Sequence, residues 1–417
     1  MVNKDSSSFS SSSSIPLSGF IGLALIFAAG PLGTDMFLPS IPAITEALST
    51  DAASTQLAIT TFMIGMGLGQ VIFGPVSDKL GRRRLLILGT ILGLVASVMC
   101  SLAFSIHILI TSRLVQGIAG GIGAVLVRAI ITDRSSATDA AKSFALLMAI
   151  NGVAPIVAPL IGGVLHEVTG WRGVFWVLAV IAVAQLFVAL RNPESLPVGK
   201  RAQGSVMHTY RTMGTLLSRP DFVGHVLIFG FGFGTMFAFI AGSSVVFQTQ
   251  LGMSPVVYSV LFAINASSLI VMSVLNVRLS GVVSPRVLQK WGLALIAVGS
   301  LALVLVACLL GPHVRGASVA DGEAAPVWFI IVCLVCTVIA TSGNGLLMAN
   351  TTVLAQGIAA RQAGAGSAVL GATQFLVAGL VSPMVALGAD KLLMLAVTMC
   401  ASAAVAHVGN LCVVRAA

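Results

Sequence analysis

Charge is scarce in this chain of 417 residues: Asp, Glu, Lys and Arg make up 8% of it, against 57% apolar residues. A soluble domain of ordinary composition carries about 25% charge. So few charges cannot coat a soluble globule, but they suffice for the loops of a chain whose remainder faces lipid. The sequence also lacks a Walker A motif, which argues against ATP-driven pumping by this chain. It has no H-E-x-x-H or comparable cluster to support a membrane protease or metalloenzyme; His107, His166, His208, His225, His313 and His407 are scattered. No repeated filter loop of the channel type appears. Cysteine is sparse: Cys100, Cys308, Cys333, Cys336, Cys400 and Cys412 all lie in or beside apolar runs. Cys333 and Cys336 form a C-x-x-C, but no second pair, nearby His or βαβ context supports a metal or redox site. The net charge of +9 would suit a nucleic-acid binder, yet the basic residues lie between apolar runs, where they mark membrane sidedness.

Long apolar runs are what the sequence does have. A spanning helix needs about 20 mostly apolar residues. Twelve runs qualify: roughly 17–41, 55–75, 84–105, 107–131, 142–166, 172–190, 222–247, 256–277, 288–310, 326–349, 363–387 and 391–414. Residues 1–16 read as a disordered polar tail rich in serine. The run after it lacks a basic cluster, contains Asp35 and is too long for a signal peptide, so it reads as a retained first span. The longest polar stretch, 191–221, separates residues 17–190 from 222–417 and predicts two bundles of six helices. With a cytoplasmic N-terminus, eighteen of the 22 basic residues fall on the cytoplasmic side; Arg172, Arg315 and Lys391 fall outside, and Arg113 lies within the membrane. An even number of spans places the C-terminus inside as well. The loops GPVSDKLGRRRLLILG and RLSGVVSPRVLQKWG occupy equivalent places in the two halves, as a degenerate repeat would.

Four motifs stand out. Gly74-Pro75-Val76-Ser77-Asp78-Lys79-Leu80-Gly81-Arg82-Arg83-Arg84 joins the second and third spans. Its glycines permit a tight turn, and Asp78 and Arg82 are spaced for an ion pair. The plain alternative is a basic topological anchor. Arg113-Leu114-Val115-Gln116-Gly117 places an arginine in the fourth span, where charge is costly and usually functional; snorkelling to the headgroups is the alternative. Gly65 and Gly69, and Gly117 and Gly121, form G-x-x-x-G packing surfaces. The fifth span carries Asn151, Gly152, Pro155, Ala158, Pro159, Gly162 and Gly163. Its prolines should bend the helix, and its small residues should let it approach a neighbour from the other half. In the first span, Asp35 follows Gly30-Pro31 and precedes Pro39 and Pro42, so the helix should break and free backbone groups that need partners.

These motifs resemble the major facilitator superfamily. The first resembles its signature G-x-x-x-D-[RK]-x-G-R-[RK] between spans 2 and 3. R-x-x-Q-G, and the fifth-span motif with Ala158 in place of a family Gly, resemble the drug:proton antiporter group. D-x-x-x-P-x-x-P resembles the start of the Bcr/CflA-type bacterial exporters. The resemblance implies an all-α fold of two six-helix bundles, alternating access and no enzymatic activity. It implies proton-coupled export of small lipophilic drugs across a bacterial cytoplasmic membrane, by a monomer that needs no cofactor and uses the proton gradient as its energy source. Asp133 would join Asp78 and Arg82, with Gly74 and Gly81, in a cytoplasmic gate. Export of one physiological metabolite, such as an amino acid or sugar, is the runner-up; a channel or membrane enzyme is the remote one.

Two further expectations follow from position. Asp35 lies about 10 Å inward from Pro42, and Arg113 about 9 Å inward from His107, at 1.5 Å per residue. Equal depth predicts that they pair, since each is costly alone. The polar residues Gln116, Asn151, Asn265, Asn344, Asn350 and Gln374 are candidates to line a substrate cavity. Phe231, Phe233, Phe237 and Phe239 would supply an apolar wall or face lipid. The G-x-G-x-G at 230–234 has no preceding strand, so it reads as a source of helix flexibility and not as a nucleotide loop.

Overall fold

The computed structural model describes residues 17–135, 137–201, 206–312, 325–359 and 362–416, so the expected tail at 1–16 lies outside the described residues. The chain is helical throughout this range. The first span is broken into α1 (Leu17–Phe27), α2 (Ala29–Asp35), a 3-10 turn (Leu38–Ser40) and α3 (Ile41–Ala47). Its two limbs bend by 41°. The break follows from the prolines at 31, 39 and 42, which lack the N–H that continues a helical ladder. Next come α4 (Ala52–Leu80), α5 (Arg82–Ser101), α6 (Ile106–Arg134) and α7 (Ala137–Arg191). The second half has α8 (Val206–Leu217), α9 (Pro220–Ser244), α10 (Pro255–Leu279), α11 (Pro285–Leu309), α12 (Val327–Ile358), α13 (Ala363–Val381) and α14 (Lys391–Ala416).

Ten of the described helices are long and apolar enough to cross a membrane, or eleven with the bent first pair. The difference from twelve lies in α7. This 55-residue element turns at Gly170 (φ 68°, ψ −178°), so its two limbs correspond to the fifth and sixth expected spans. Starts are set by local caps: the Asp51 carboxylate accepts from Ser54 N–H at 2.7 Å ahead of α4, and Ser254 caps α10 in the same way. Close approach is set by small residues. Gly69 of α4 and Gly121 of α6 meet so tightly that a Cβ on either would stand 3.0 Å from the other's Cα. This is the packing use expected of G-x-x-x-G.

The two halves are joined by hydrogen bonds at the end remote from the linker. Gln56 of α4 donates to the Ala241 carbonyl and to Ser382, each at 3.0 Å. Ser244 Oγ donates to the Leu38 carbonyl at 2.7 Å, and Ser259 Oγ to the Pro159 carbonyl at 2.9 Å. At the opposite end α8 lies against the second half, burying Met213 and Leu216 with Phe222. From there Tyr210 reaches the Val71 carbonyl of α4 at 3.3 Å.

Candidate functional site

The break in the first span positions the central charges. Because α2 ends at Asp35, the carbonyls of its last turn lose their helical partners. The Gly33 carbonyl accepts instead from Arg113 Nη1 of α6 at 2.8 Å. The same nitrogen donates to Gln116 Oε1 at 2.6 Å, and Gln116 Nε2 donates to Ser97 of α5 at 2.8 Å. Arg113 is fully buried, which excludes snorkelling to the headgroups. Its guanidinium is held between two rings, 4.1 Å from the Phe62 centroid and 4.8 Å from that of Phe37. A cation over aromatic faces is stabilised by the ring quadrupoles. Nε and Nη2 have no partner among the described residues.

The expected ion pair between Asp35 and Arg113 is not formed: no such pair occurs among the described residues within 4.0 Å. The reason is angular. The side-chain direction at Gly33 points at Phe62 of α4, and two residues along a helix differ by about 200°, so Asp35 is turned away from that ring and from the guanidinium over it. Asp35 is 3% exposed and lies within electrostatic reach of the Tyr258 hydroxyl on α10, in the other half. Tyr258 is buried and shares a hydrogen bond with Ser243 at 3.0 Å. Asp35 thus stands at the seam between the halves, beside the Leu38–Ser244 bond.

At the linker end the turn between α4 and α5 forms the expected charged cluster. Asp78 pairs with Arg82 at 2.7 Å, and Arg82 Nε donates to Asp133 of α6 at 3.1 Å. Arg82 also donates a short bond to Ser77 Oγ. Gly81 has φ 94°, a conformation that only glycine adopts readily. Gly74 lies beside Val125 of α6, where a Cβ would make only an ordinary contact at 3.4 Å. The cluster extends beyond the motif, into the start of the linker. Ser195 donates to Asp133 at 3.0 Å. The Glu194 carboxylate accepts from the backbone N–H of Arg82 at 2.8 Å, Arg83 at 3.3 Å and Leu196 at 3.1 Å. Partial burial works against its charge, but these N–H groups and Arg201 outweigh it and hold the carboxyl below its ordinary range. The one available signal was the polar Asn-Pro-Glu-Ser directly after the sixth span. All partners of Arg82 belong to the first half or to the linker; no described ion pair carries the cluster across to the second half.

The fifth-span motif lies at the seam. Gly162 packs against the backbone of Met36, and Gly163 faces Ser259 and Pro255 of α10. Ala158 is buried, so the departure from the family's Gly is accommodated. Asn151, Gly152 and Pro155 belong to α7, but their side chains lie outside the described residues.

The cavity candidates are not gathered into one chamber. Gln116 lines a cavity of about 40 Å³ inside the first half, together with Ser97, Thr90 and Gln185. Asn265 donates to Thr337 at 3.3 Å and accepts from Thr341 at 2.9 Å; Asn350 donates to Asn276 at 2.6 Å. Both tie α10 to α12. Gln374 is half-buried on α13. Phe237 and Phe239 are buried and Phe231 and Phe233 half-buried, so these rings pack inside and do not form a lipid face. Phe237 stacks on Phe233 at 5.9 Å, and Phe233 meets Phe375 of α13 edge-on at 6.1 Å. Phe375 adjoins Gly67 of α4, at the seam. The glycines of the G-x-G-x-G in α9 pack against neighbouring helices: Gly230 and Gly234 face Thr373 and Val377, while Gly232 faces Leu347. Sequence reasoning also missed Arg128, assigned to the cytoplasmic side; it is half-buried on α6, 5.3 Å from the Phe27 centroid.

Comparison with known proteins agrees with this geometry. The chain is 34% identical over 366 residues, 87% of both chains, to an uncharacterized MFS-type transporter, YdgK, of Bacillus subtilis. It is 30% identical over 322 residues to a chloramphenicol resistance protein of Pseudomonas aeruginosa, covering 76% of this chain and 73% of that one. A bicyclomycin resistance protein homolog of Haemophilus influenzae is 28% identical over 69% of this chain and 72% of its own. Among solved structures, an inward-facing bacterial homolog of the human lysosomal transporter Spinster superposes with a TM-score of 0.69 at 16% identity, over 96% of both chains. The family model for the Major Facilitator Superfamily matches residues 23–383. With a helical membrane fold, the signature turn and the two-half architecture in agreement, this multi-pass transporter belongs to the Major Facilitator Superfamily.

Proposed function

We propose that this chain is a proton-coupled drug exporter of the Bcr/CflA type, working as a monomer by alternating access. Its seat is the bacterial cytoplasmic membrane, with both termini in the cytoplasm. The observation that carries the reading is Asp35: a carboxyl buried in a broken helix at the seam of the two halves, with no ion pair among the described residues. Ionisable groups inside a membrane are costly and mark ion or proton pathways. Protonation of Asp35 from outside opposes drug binding; deprotonation toward the cytoplasm resets the site. Arg113 contributes by holding the Gly33 carbonyl, and so the break, in place. The drug-resistance names of two relatives support the choice of cargo. The aromatic group of Phe233, Phe237 and Phe375 at the seam suits a lipophilic one.

Residues 17–190 and 222–417 act as the two moving halves, and 191–221 as the cytoplasmic linker. The cluster of Asp78, Arg82 and Asp133 gates the cytoplasmic end by fixing the linker's start through Ser195 and Glu194. Uptake of a fluorescent cationic drug into everted vesicles tests the function. Collapse of the proton gradient should abolish accumulation. Accumulation that survives collapse would rule out proton coupling, and mere equilibration would indicate a channel.

A further inference from the structure

Asn344 stands near the middle of α12, roughly 25 Å along this 32-residue helix. It is 1% exposed. Neither Oδ1 nor Nδ2 has a partner among the described residues. Gln56 and Gln70 each leave one atom unpartnered; Asn344 is the one amide there that leaves both. Its neighbours on the same helix face a different fate: Thr341 and Asn350 are both hydrogen-bonded to α10.

The direction of the side chain is set by the two glycines that flank it. Gly343 lies against the Gly292 carbonyl and Ile296 of α11, and Gly345 against Leu269, Met272 and Ser273 of α10. Successive helical residues differ by about 100°, so Asn344 is directed to the remaining side, toward α9. Gly232 is opposite: a Cβ there would stand 3.6 Å from Asn344 Oδ1. Gly232 is itself near the middle of α9 and is flanked by the half-buried Phe231 and Phe233. A polar tip and an aromatic flank therefore meet at mid-depth, with the Leu347 side chain packed against Gly232 beside them, at the level where membrane transporters bind their cargo.

An unpartnered amide in an apolar interior is unfavourable, and packing does not demand it, because leucine has similar volume. We propose that Asn344 is a specificity-determining contact for neutral substrates that carry a hydrogen-bond donor and an acceptor side by side, as a primary carboxamide or lactam does, on an apolar body. The asparagine presents the complementary pair, a carbonyl and an NH2 group. The apolar body packs on the Phe233 side of α9. This deepens the export reading and rests on it.

Purified chain in detergent, cinnamamide and N,N-dimethylcinnamamide test the proposal. The two probes share the apolar body, but only the first can donate. Cinnamamide should raise the Tm of the wild type with an apparent affinity roughly 10- to 100-fold better than its dimethyl analogue. Asn344→Leu should raise the ligand-free Tm, because it removes an unpaired amide, and should erase the preference. Asn344→Ser should erase it too, and serves if the leucine variant does not fold. Equal stabilisation of the wild type by both probes overturns the proposal. So does a variant that keeps the preference, or a leucine variant with a lower ligand-free Tm, which would make the amide structural. Ethidium uptake into everted vesicles separates the two readings. Loss of proton-driven ethidium uptake with the amide preference intact overturns the export reading alone. A wild type that takes up ethidium but shows no preference for cinnamamide overturns this inference alone.

Discussion

Two turns at the linker end of the molecule share a positive φ at a glycine and differ in what surrounds it. Gly81, between α4 and α5, and Gly281, between α10 and α11, both have φ 94°. A Cβ on Gly81 would collide with Glu194 and Arg201; one on Gly281 would meet nothing within 4 Å. The halves differ in the same sense at their cores. The first buries Asp35 and Arg113 and half-buries Arg128. Among its described residues the second buries no Asp, Glu, Lys or Arg and fills the interior with the amides and hydroxyls of Asn265, Thr341, Gln289, Thr351, Asn276 and Asn350. Among the described residues, buried charge is concentrated in one half and neutral hydrogen bonding in the other.

The sharpest way to break this contrast is at Asp35. Asp35→Asn should leave a folded protein and abolish drug-induced proton release by the purified chain. Asn265→Leu, the loss of a buried polar group from the other half, should leave release intact. Wild-type release from the Asn variant would remove Asp35 from the mechanism.

Arg113 comes next. Arg113→Ala empties the space between Phe62 and Phe37 and strands the Gly33 carbonyl, and should cost on the order of 2 kcal/mol or more in stability. Since no ion pair joins Asp35 to Arg113, the double variant should be additive within about 0.5 kcal/mol. Thermal unfolding of both singles and the double in detergent measures this. A double variant more stable than the sum of its parts would restore the pairing inferred from depth.

The two glycine turns provide a smaller test. Gly81→Ala and Gly281→Ala incur the same backbone strain, about 1–3 kcal/mol. Only the first also displaces Glu194, so it should lower the Tm further. Equal losses would show that the charged cluster adjusts freely.

The smallest effect expected is a local one of pH. The folded Glu194 carboxyl lies below its ordinary value. Its contribution is therefore complete above the unfolded carboxylate range and is lost as pH falls through the lower folded value. Hydrogen exchange over 192–201, corrected for intrinsic rates, should rise on acidification through that range, and Glu194→Gln should remove the dependence. Exchange that ignores pH in the wild type would mean that the backbone bonds to Arg82, Arg83 and Leu196 do not hold the linker.

The spans were legible because lipid demands long apolar runs with internally satisfied backbones. The signature turn was legible because Gly81, Asp78 and Arg82 are neighbours in sequence. Glu194 and Ser195 were not, because their contacts to Arg82 and Asp133 cross 112 and 62 residues of chain. The unpartnered state of Asn344 was equally hidden: its composition matches that of Asn265 and Asn350, and only packing leaves it without a partner.

By itself the sequence determined how deep each charge lies, since depth is residue count multiplied by helical rise. That much placed Asp35 and Arg113 in the same layer. Which way each points was decided only by the tertiary structure, because azimuth depends on which face of a helix its neighbours cover. With the Gly33 position directed at Phe62 of α4, beside the guanidinium, Arg113 took a backbone carbonyl, and Asp35, about 200° around the same helix, was turned away from it.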